Sequence, residues 1–166
     1  INFVLNQIKT YINFLYNSTN HHGVHSPFVF SLITKCLYSS TNQKITNSIP
    51  FKTKKHKTIH RLLHYFNEAN PQLISSQKDT KSTSNKVIYI DINYCLLESI
   101  SIQDILSKAT NDTCFIFNHI HKTPSNSNFW KSIVQNPNFT ATIDTFQLGI
   151  TFIRKEQEKE HFVIRV

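Results

Sequence analysis

Two continuous apolar runs, separated by a helix-length segment, constrain the fold of this chain more than any other feature. Residues 86–92 read KVIYIDI and residues 114–120 read CFIFNHI. A strand that is apolar at nearly every position is typical of a parallel sheet buried on both faces. The residues between them, at 96–108, predict a helix, so the three pieces predict a right-handed βαβ unit.

The rest of the chain divides into three regions. Residues 1–69 predict a helical N-terminal region, residues 70–85 a polar loop, and residues 86–166 an α/β domain with about four to five strands. Residues 39–57 are predicted to be a polar linker within the helical region. Outside the βαβ unit, periodicity predicts helices at 1–16, 28–38, 58–67 and 128–135, and strands at 139–145, 149–154 and 161–166.

The charge balance favours an acidic partner. The chain has 18 Lys and Arg residues against 10 Asp and Glu, a net charge of +8, and its densest basic run is KTKKHKTIHR at residues 52–61. No nucleic-acid motif accompanies that run, so we expect an acidic partner at the basic N-terminal half and no nucleic-acid binding.

No apolar run approaches the roughly 20 residues that span a bilayer, so no membrane partner is expected. Three widely spaced cysteines indicate a reducing compartment, the cytoplasm.

Four stretches of the chain resemble a known family. They are HGVHSPFVF at residues 22–30, the strand ending in Asp91, the FNHIH that closes the next strand at residues 117–121, and TIDTFQLGITFIRKEQEKEHFVIR at residues 142–165. In this order they resemble the class I S-adenosylmethionine-dependent methyltransferases of Bacteroidetes. The resemblance covers most of the chain and is most specific in the C-terminal block. It implies a helical lead followed by part of a Rossmann-like sheet, S-adenosylmethionine as cofactor, and a methyl acceptor that the sequence does not identify.

The resemblance breaks off where the family binds its cofactor. There, the helix similar to residues 58–66 leads into a first strand, a Gly-rich loop and an acidic residue for the ribose hydroxyls. Glycine lets the backbone approach the nucleoside, and the carboxylate holds its hydroxyls. Here residues 67–85 contain no glycine, and the whole chain has only Gly23 and Gly149. We therefore expect an internally shortened, degenerate member that does not bind the cofactor in the usual way.

Two further substitutions affect the site that the resemblance implies. The family's Gly and His after the strand ending in Asp are replaced by Ile92 and Tyr94. The family's two acidic residues after the next strand are replaced by Asn118 and His119. Paired carboxylates suit metal binding or proton transfer, and an amide cannot replace that charge. No metal site is predicted.

The candidate site lies at the carboxyl ends of the strands finishing at Asp91 and Asn118, where open α/β sheets place ligands. Asp91 and His121 are the predicted catalytic groups if any activity remains, and the structural alternative for Asp91 is a helix cap. The residues assigned to the substrate or cofactor side are His22, His25, Asn93, Asn118 and His119. For the segment holding His22 and His25, a turn at Gly23 and a helix cap at Ser26 are the structural alternatives.

A third group of histidines, His56, His60 and His64, recurs at helical spacing. This pattern predicts a solvated flank of a helix rather than a metal or phosphate site.

Loss of the first strands would leave Val87–Asp91 at an edge of the sheet without the lysine or proline that usually protects such an edge. Three covers are possible: the N-terminal helices, the loop at residues 70–85, or a second copy in a homodimer. We expect helices or the homodimer. Two functions remain open at this point. The first is a degenerate methyltransferase-family protein, which would transfer a methyl group only if its cofactor site were completed in an unexpected way. The second is a non-catalytic binding or scaffold module, or a decaying remnant.

Overall fold

The protein, in a computed structural model that describes residues 2–75 and 86–166, is a mixed α/β fold built on one six-stranded sheet. The predicted α/β class is confirmed: residues 86–166 supply five strands, as the prediction of about four to five allowed, and a sixth comes from the segment predicted to be a loop. Loop positions 76–85 lie outside the described residues. The strands are β1 (Gln72–Ile74), β2 (Val87–Asp91), β3 (Cys114–Asn118), β4 (Ala141–Asp144), β5 (Leu148–Phe152) and β6 (Glu160–Val163). The helices are α1 (Asn2–Asn17), α2 (Pro27–Leu32), α3 (Lys54–Tyr65), α4 (Ile92–Leu97), α5 (Ile102–Leu106) and α6 (Pro124–Gln135), with a π-helical segment, Ile33–Leu37, continuing α2.

The sheet combines parallel and antiparallel neighbours in the order β1-β2-β3-β5-β4-β6. Strands β1, β2 and β3 are parallel, and so are β4 and β6, whereas β5 runs antiparallel to both β3 and β4. The predicted parallel pair β2/β3 and antiparallel pair β4/β5 are confirmed. This order brings the carboxyl ends of β2, β3 and β4 to the same edge of the sheet.

Alternate residues of the central strands enter two separate cores, which explains why their sequences are apolar throughout. On one face, Val87 and Ile116 pack with buried residues of α2 and α3. On the other face, Ile88 and Phe117 pack with buried residues of α4, α5 and α6. Because helices cover both faces, neither face of β2 or β3 needs polar residues.

Strand β1 covers the edge of β2 that was predicted to be exposed. Its three residues pair in parallel with Ile88–Ile90, and Ile74 is buried. The carboxylate of Glu68 accepts hydrogen bonds from the backbone N–H groups of Asn70 and Lys86, both at 3.0 Å, which holds the starts of β1 and β2 together. The prediction of an entirely irregular loop was therefore wrong at Gln72–Ile74. Since β1 occupies this edge, the reason for predicting a homodimer through Val87–Asp91 no longer holds, and the dimer itself stays a prediction.

The single helix predicted between β2 and β3 is replaced by two short helices. Helix α4 starts directly at Ile92, and Ser99 adopts a left-handed backbone with φ of 53°. Ser101 then caps α5 through a capping box with Asp104. A non-glycine residue with positive φ cannot continue a right-handed helix, so the segment breaks there.

Helix α3 begins at Lys54, four residues before its predicted start, because Thr53 and His56 form a capping box. His60 is only 1% exposed, so the predicted solvated flank was wrong at this position. Its Nδ1 accepts from the backbone N–H of Ile45, and its Nε2 lies 3.2 Å from the carbonyl oxygens of Ile49 and Pro50. The imidazole thus anchors the predicted linker onto α3.

Across residues 2–75 and 86–166, no helix has the length and apolar character needed to cross a membrane.

Candidate functional site

Two strand ends meet at the predicted position. Asp91 ends β2, Asn118 ends β3, and the two residues are directly opposite each other in the parallel register. His119 follows Asn118 with φ of 66°, a left-handed conformation that directs its side chain back towards Asp91. The predicted proximity of Asp91, Asn118 and His119 is confirmed, while their function stays a prediction.

Asp91 and His119 form the first of two carboxylate–imidazole pairs. The Nδ1 of His119 lies 3.1 Å from Asp91 Oδ1 and 2.7 Å from the side-chain nitrogen of Asn93. With its proton on Nδ1, the ring donates to Asp91. With the proton on Nε2, it accepts from Asn93.

Helix α4 and helix α6 close the network around this pair. Asp91 caps α4 by accepting from the backbone N–H of Asn93 at 2.9 Å, so the structural alternative for this residue is confirmed. Asn126 of α6 donates to Asn93 Oδ1 at 3.1 Å and to the carbonyl oxygen of His119 at 2.8 Å. Burial tends to raise the pKa of Asp91, but the His119 hydrogen bond and charge and the N–H groups of Asn93 and Tyr94 leave that pKa below its ordinary value.

The second pair consists of His121 and Asp144, the last residue of β4. His121 Nε2 lies 2.6 Å from Asp144 Oδ2, and the same oxygen accepts from Trp130 Nε1 at 3.1 Å. The other carboxylate oxygen accepts from the backbone N–H of Phe146 at 2.7 Å. Asp144 is only 6% exposed, and both of its carboxylate oxygens interact with groups of the protein.

The two predicted catalytic residues therefore belong to different pairs. Within the described part of the chain, no hydrogen bond or ion pair joins Asp91 to His121. The hydroxyl of Ser127 lies 3.4 Å from His121 Nδ1, which resembles a Ser–His–Asp arrangement. That distance exceeds the roughly 2.6–3.2 Å expected of a nucleophile and its base, and Ser127 is not among the residues lining the cavities below.

His22 and His25 lie outside this site. Both are exposed in the segment before α2, and no hydrogen bond or ion pair in residues 2–75 and 86–166 connects them with either pair. The structural alternatives account for the segment: His22 belongs to a 3-10 turn with Gly23, and Ser26 caps α2 by accepting from Val29 N–H. The assignment of His22 and His25 to the substrate side therefore has no geometric support.

Two adjoining cavities, of about 390 Å³ and about 280 Å³, open beside the second pair. They share a wall made of Lys54, Lys55, Phe146 and Gln147. Lys122 and His121 line the larger cavity, and Arg165 lines the smaller. No acidic side chain lines either cavity among the described residues.

Among the described residues, the cations of these cavities form no ion pair with an Asp or Glu side chain. Lys55 donates to Asn118 Oδ1 at 2.9 Å and Lys54 to the backbone oxygen of Val166 at 2.7 Å. Over the described ranges, neither these lysines nor Lys122 and Arg165 form an ion pair. Burial lowers the pKa of Lys55, an effect that Asp91 opposes and Lys122 reinforces. A half-buried ammonium group beside another cation is a group that a bound anion would stabilise.

Sequence reasoning missed the residues that complete the site: Lys55, Asn126, Asp144 and Phe146. Lys55 was visible only as part of a basic run, and Asp144 only as part of the C-terminal block of the resemblance. Strand β5 is antiparallel to both β3 and β4, so β3 and β4 run in the same direction. The carboxyl end of β4 could therefore have been placed at this edge once the strand order was known.

No group of three or more His, Cys, Asp or Glu residues suited to a metal ion occurs in the parts of the chain that the structure describes.

Comparison with known proteins identifies no relative. No protein-family model matches the chain, no curated protein matches it, and no solved structure matches it. The family assignment made from the sequence therefore stays a prediction.

Proposed function

We propose that the protein is a shortened member of the class I methyltransferase family that has lost methyl transfer and acts as a binding module for an acidic ligand. The binding site lies at the carboxyl edge of the sheet, beside Lys54, Lys55 and Lys122. The family's methyl acceptor is not part of the proposal.

The family part of the proposal is supported by the sequence pattern together with the arrangement of the second half of the chain. The parallel pair β2/β3 and the antiparallel pair β4/β5 agree with the C-terminal half of a Rossmann-like domain. On the other side of β2 there is one described strand, β1, of only three residues. The segment that follows contains no glycine between Ile74 and Val87, so the usual backbone approach to a nucleoside is not encoded there.

The loss of catalysis is supported by the hydrogen bonds that Asp91 and Asp144 make within the protein. Asp91 caps α4 and pairs with His119, and Asp144 accepts from His121, Trp130 and the backbone of Phe146. A general base needs a lone pair directed at substrate. These carboxylates instead hold their neighbours in place, and Ile92, buried at the start of α4, fills the position that glycine holds in the family.

The observation that carries the binding role is a set of cations around the two cavities that form no ion pair with an Asp or Glu side chain in residues 2–75 and 86–166. Lysines are usually solvated on the surface, but Lys55 is half-buried and adjoins a cavity that contains Lys122. Bringing like charges together costs free energy that an anionic ligand would recover. Cys36 and Cys114 are free thiols, as is usual in the reducing cytoplasm, so the proposal includes a cytoplasmic location.

Isothermal titration calorimetry with S-adenosylhomocysteine and with S-adenosylmethionine tests the proposal. We expect no binding heat from either compound at protein concentrations near 50 μM, which would detect affinities of about 100 μM or tighter. A micromolar affinity for either nucleoside would refute the loss of the cofactor site. Transfer of a methyl group to an acceptor, measured by mass spectrometry, would refute the non-catalytic role.

A further inference from the structure

We infer that the larger cavity binds the phosphate group of a small phosphate monoester, with an aromatic part of the ligand against Phe146. This inference rests on the proposed binding role and assigns its ligand class. The phosphate lies among Lys54, Lys55 and Lys122, and the aromatic part points to the wall shared by the two cavities.

The size of the cavity fits a small molecule rather than a single ion. Its volume of about 390 Å³ falls in the range of roughly 300–1,000 Å³ that is common for small-molecule sites. Its walls come from four separate parts of the chain: Gln7 of α1, the start of α3, the turn after β3 and the turn after β4. Gln7 donates to the carbonyl oxygens of His121 (2.6 Å) and Lys122 (2.7 Å), which holds α1 against the turn after β3.

The charge of the cavity suits a dianion. Three lysines line it, and none forms an ion pair with an Asp or Glu side chain among the described residues. Lys54 donates to the main-chain oxygen of Val166 and Lys55 to Asn118 Oδ1, while Asp91 and Asp144 are each paired with a histidine. A phosphate monoester carries a charge of about −1.5 to −2 near neutral pH, whereas a carboxylate or a sulfate ester carries −1. Lysine binds phosphate as a point charge from any direction and does not require the bidentate geometry of arginine.

The apolar wall suits an aromatic ring. Phe146 lines both cavities, and its ring lies 4.8 Å from that of Tyr11, 5.4 Å from that of Phe14 and 5.6 Å from that of His121. Phe146 also has φ of 68°, a left-handed conformation that is an outlier for a bulky residue. His119, another residue that lines the larger cavity, shares this feature with φ of 66°. Strained residues of this kind concentrate at ligand sites, where the strain holds a side chain in a required position.

Phenyl phosphate is the probe for this inference, measured by calorimetry and by amide chemical shifts of the full chain. We expect a dissociation constant of about 0.1–1 mM, with shifts concentrated at Lys55, Lys122 and Phe146. Phenyl sulfate, which has the same shape and one charge fewer, should bind at least about fivefold more weakly. Inorganic phosphate, which lacks the ring, should also bind more weakly.

The test variants are Lys122→Met and Lys55→Met, and the matched control is Lys131→Met, an exposed lysine on α6 that lines neither cavity. Each test variant should weaken phenyl phosphate binding about tenfold, and the control should change it less than twofold. Lys122 is exposed in a turn, so its replacement should leave the circular dichroism spectrum unchanged.

Three results would overturn the inference: no binding of phenyl phosphate at 5 mM, equal weakening by the control and test variants, or shifts located away from the cavity. None of these results bears on the loss of the cofactor site, which S-adenosylhomocysteine tests separately. Binding of S-adenosylhomocysteine would refute the proposed function even if phenyl phosphate also bound.

Discussion

Replacing Gly149 with alanine should destabilise the protein strongly, because the position of Trp130 leaves no space for a methyl group. A Cβ atom at Gly149 would lie 2.4 Å from Cζ3, 2.5 Å from Cη2 and 2.9 Å from Cε3 of the Trp130 ring. Real Cβ contacts are rarely below 3.0 Å, so the indole must move by roughly 1 Å. Trp130 is only 3% exposed and packs at 5.9 Å from the ring of Phe117, which leaves little freedom for that movement.

The expected cost combines two effects. Overpacking a core costs about 1–3 kcal/mol. Movement of the indole also lengthens the 3.1 Å bond from Trp130 Nε1 to Asp144, and a hydrogen bond to a charged group is worth about 1.5–3 kcal/mol. Because this hydrogen bond is weakened rather than broken, we expect the two effects together to lower the free energy of unfolding by about 3 kcal/mol.

Urea unfolding followed by far-ultraviolet circular dichroism measures this change, with an unchanged m-value as the check on two-state behaviour. Trp130→Phe supplies the second arm of a double-mutant cycle, since the smaller ring leaves space for the new methyl group. Gly149→Ala should cost at least about 1.5 kcal/mol less in that background. Gly23→Ala is the control. Its Cβ would lie 2.6 Å from Thr19 Oγ1, but this hydroxyl belongs to a half-buried side chain that can turn aside, whereas the indole is held in the core, so the cost should be less than about 1 kcal/mol.

The reasoning would be refuted by a loss below about 0.5 kcal/mol for Gly149→Ala. It would also be refuted if the substitution cost the same amount with phenylalanine at position 130, because the collision would then not be with the indole.

Three further predictions concern the site and the core. The pKa of Asp91 is lower in the folded protein than in the unfolded chain. The ionised carboxylate therefore contributes its full stabilisation above about pH 4, and this contribution is lost as the pH falls through the folded pKa. Between about pH 5 and pH 3 the urea midpoint of Asp91→Asn should fall less than that of the wild type, and parallel plots of midpoint against pH would contradict this. His60→Ala should lower the free energy of unfolding by about 3 kcal/mol, because it leaves the half-buried N–H of Ile45 and the buried carbonyl of Ile49 without their His60 partner. A denaturant midpoint within error of the wild type would exclude that role. Phe146→Gly should weaken phenyl phosphate binding about tenfold in calorimetry while lowering stability by at most about 2 kcal/mol, since glycine favours the positive φ there; undiminished affinity would remove Phe146 from the ligand site.

The sequence predicted the centre of the sheet well because the physical cause was local. Strands β2 and β3 are buried on both faces, and that condition alone produces the continuous apolar runs. The proximity of Asp91 and His119 followed from the rule that parallel strands end at one edge of a sheet. By contrast, β1 has three residues, too few to show a period of two, and it lies within a polar segment.

Contacts between distant segments could not be derived from the pattern. His60 shares its helical spacing with His56 and His64, and only the path of residues 45–50 over α3 determines that His60 is the buried one. His22 and His25 illustrate the opposite error. Their sequence motif was read as part of a site, but the turn and the helix cap in that segment explain it locally.

The brevity of β1 has a consequence for storage and handling of the protein. Short terminal strands of a sheet fray at much lower free energy than the whole domain unfolds. When the backbone hydrogen bonds between Gln72–Ile74 and β2 open, the edge of the VIYID segment is exposed and can pair with a strand of another molecule. Fibre formation from the native state should therefore follow the opening rate of three residues, and its lag time need not track the melting temperature.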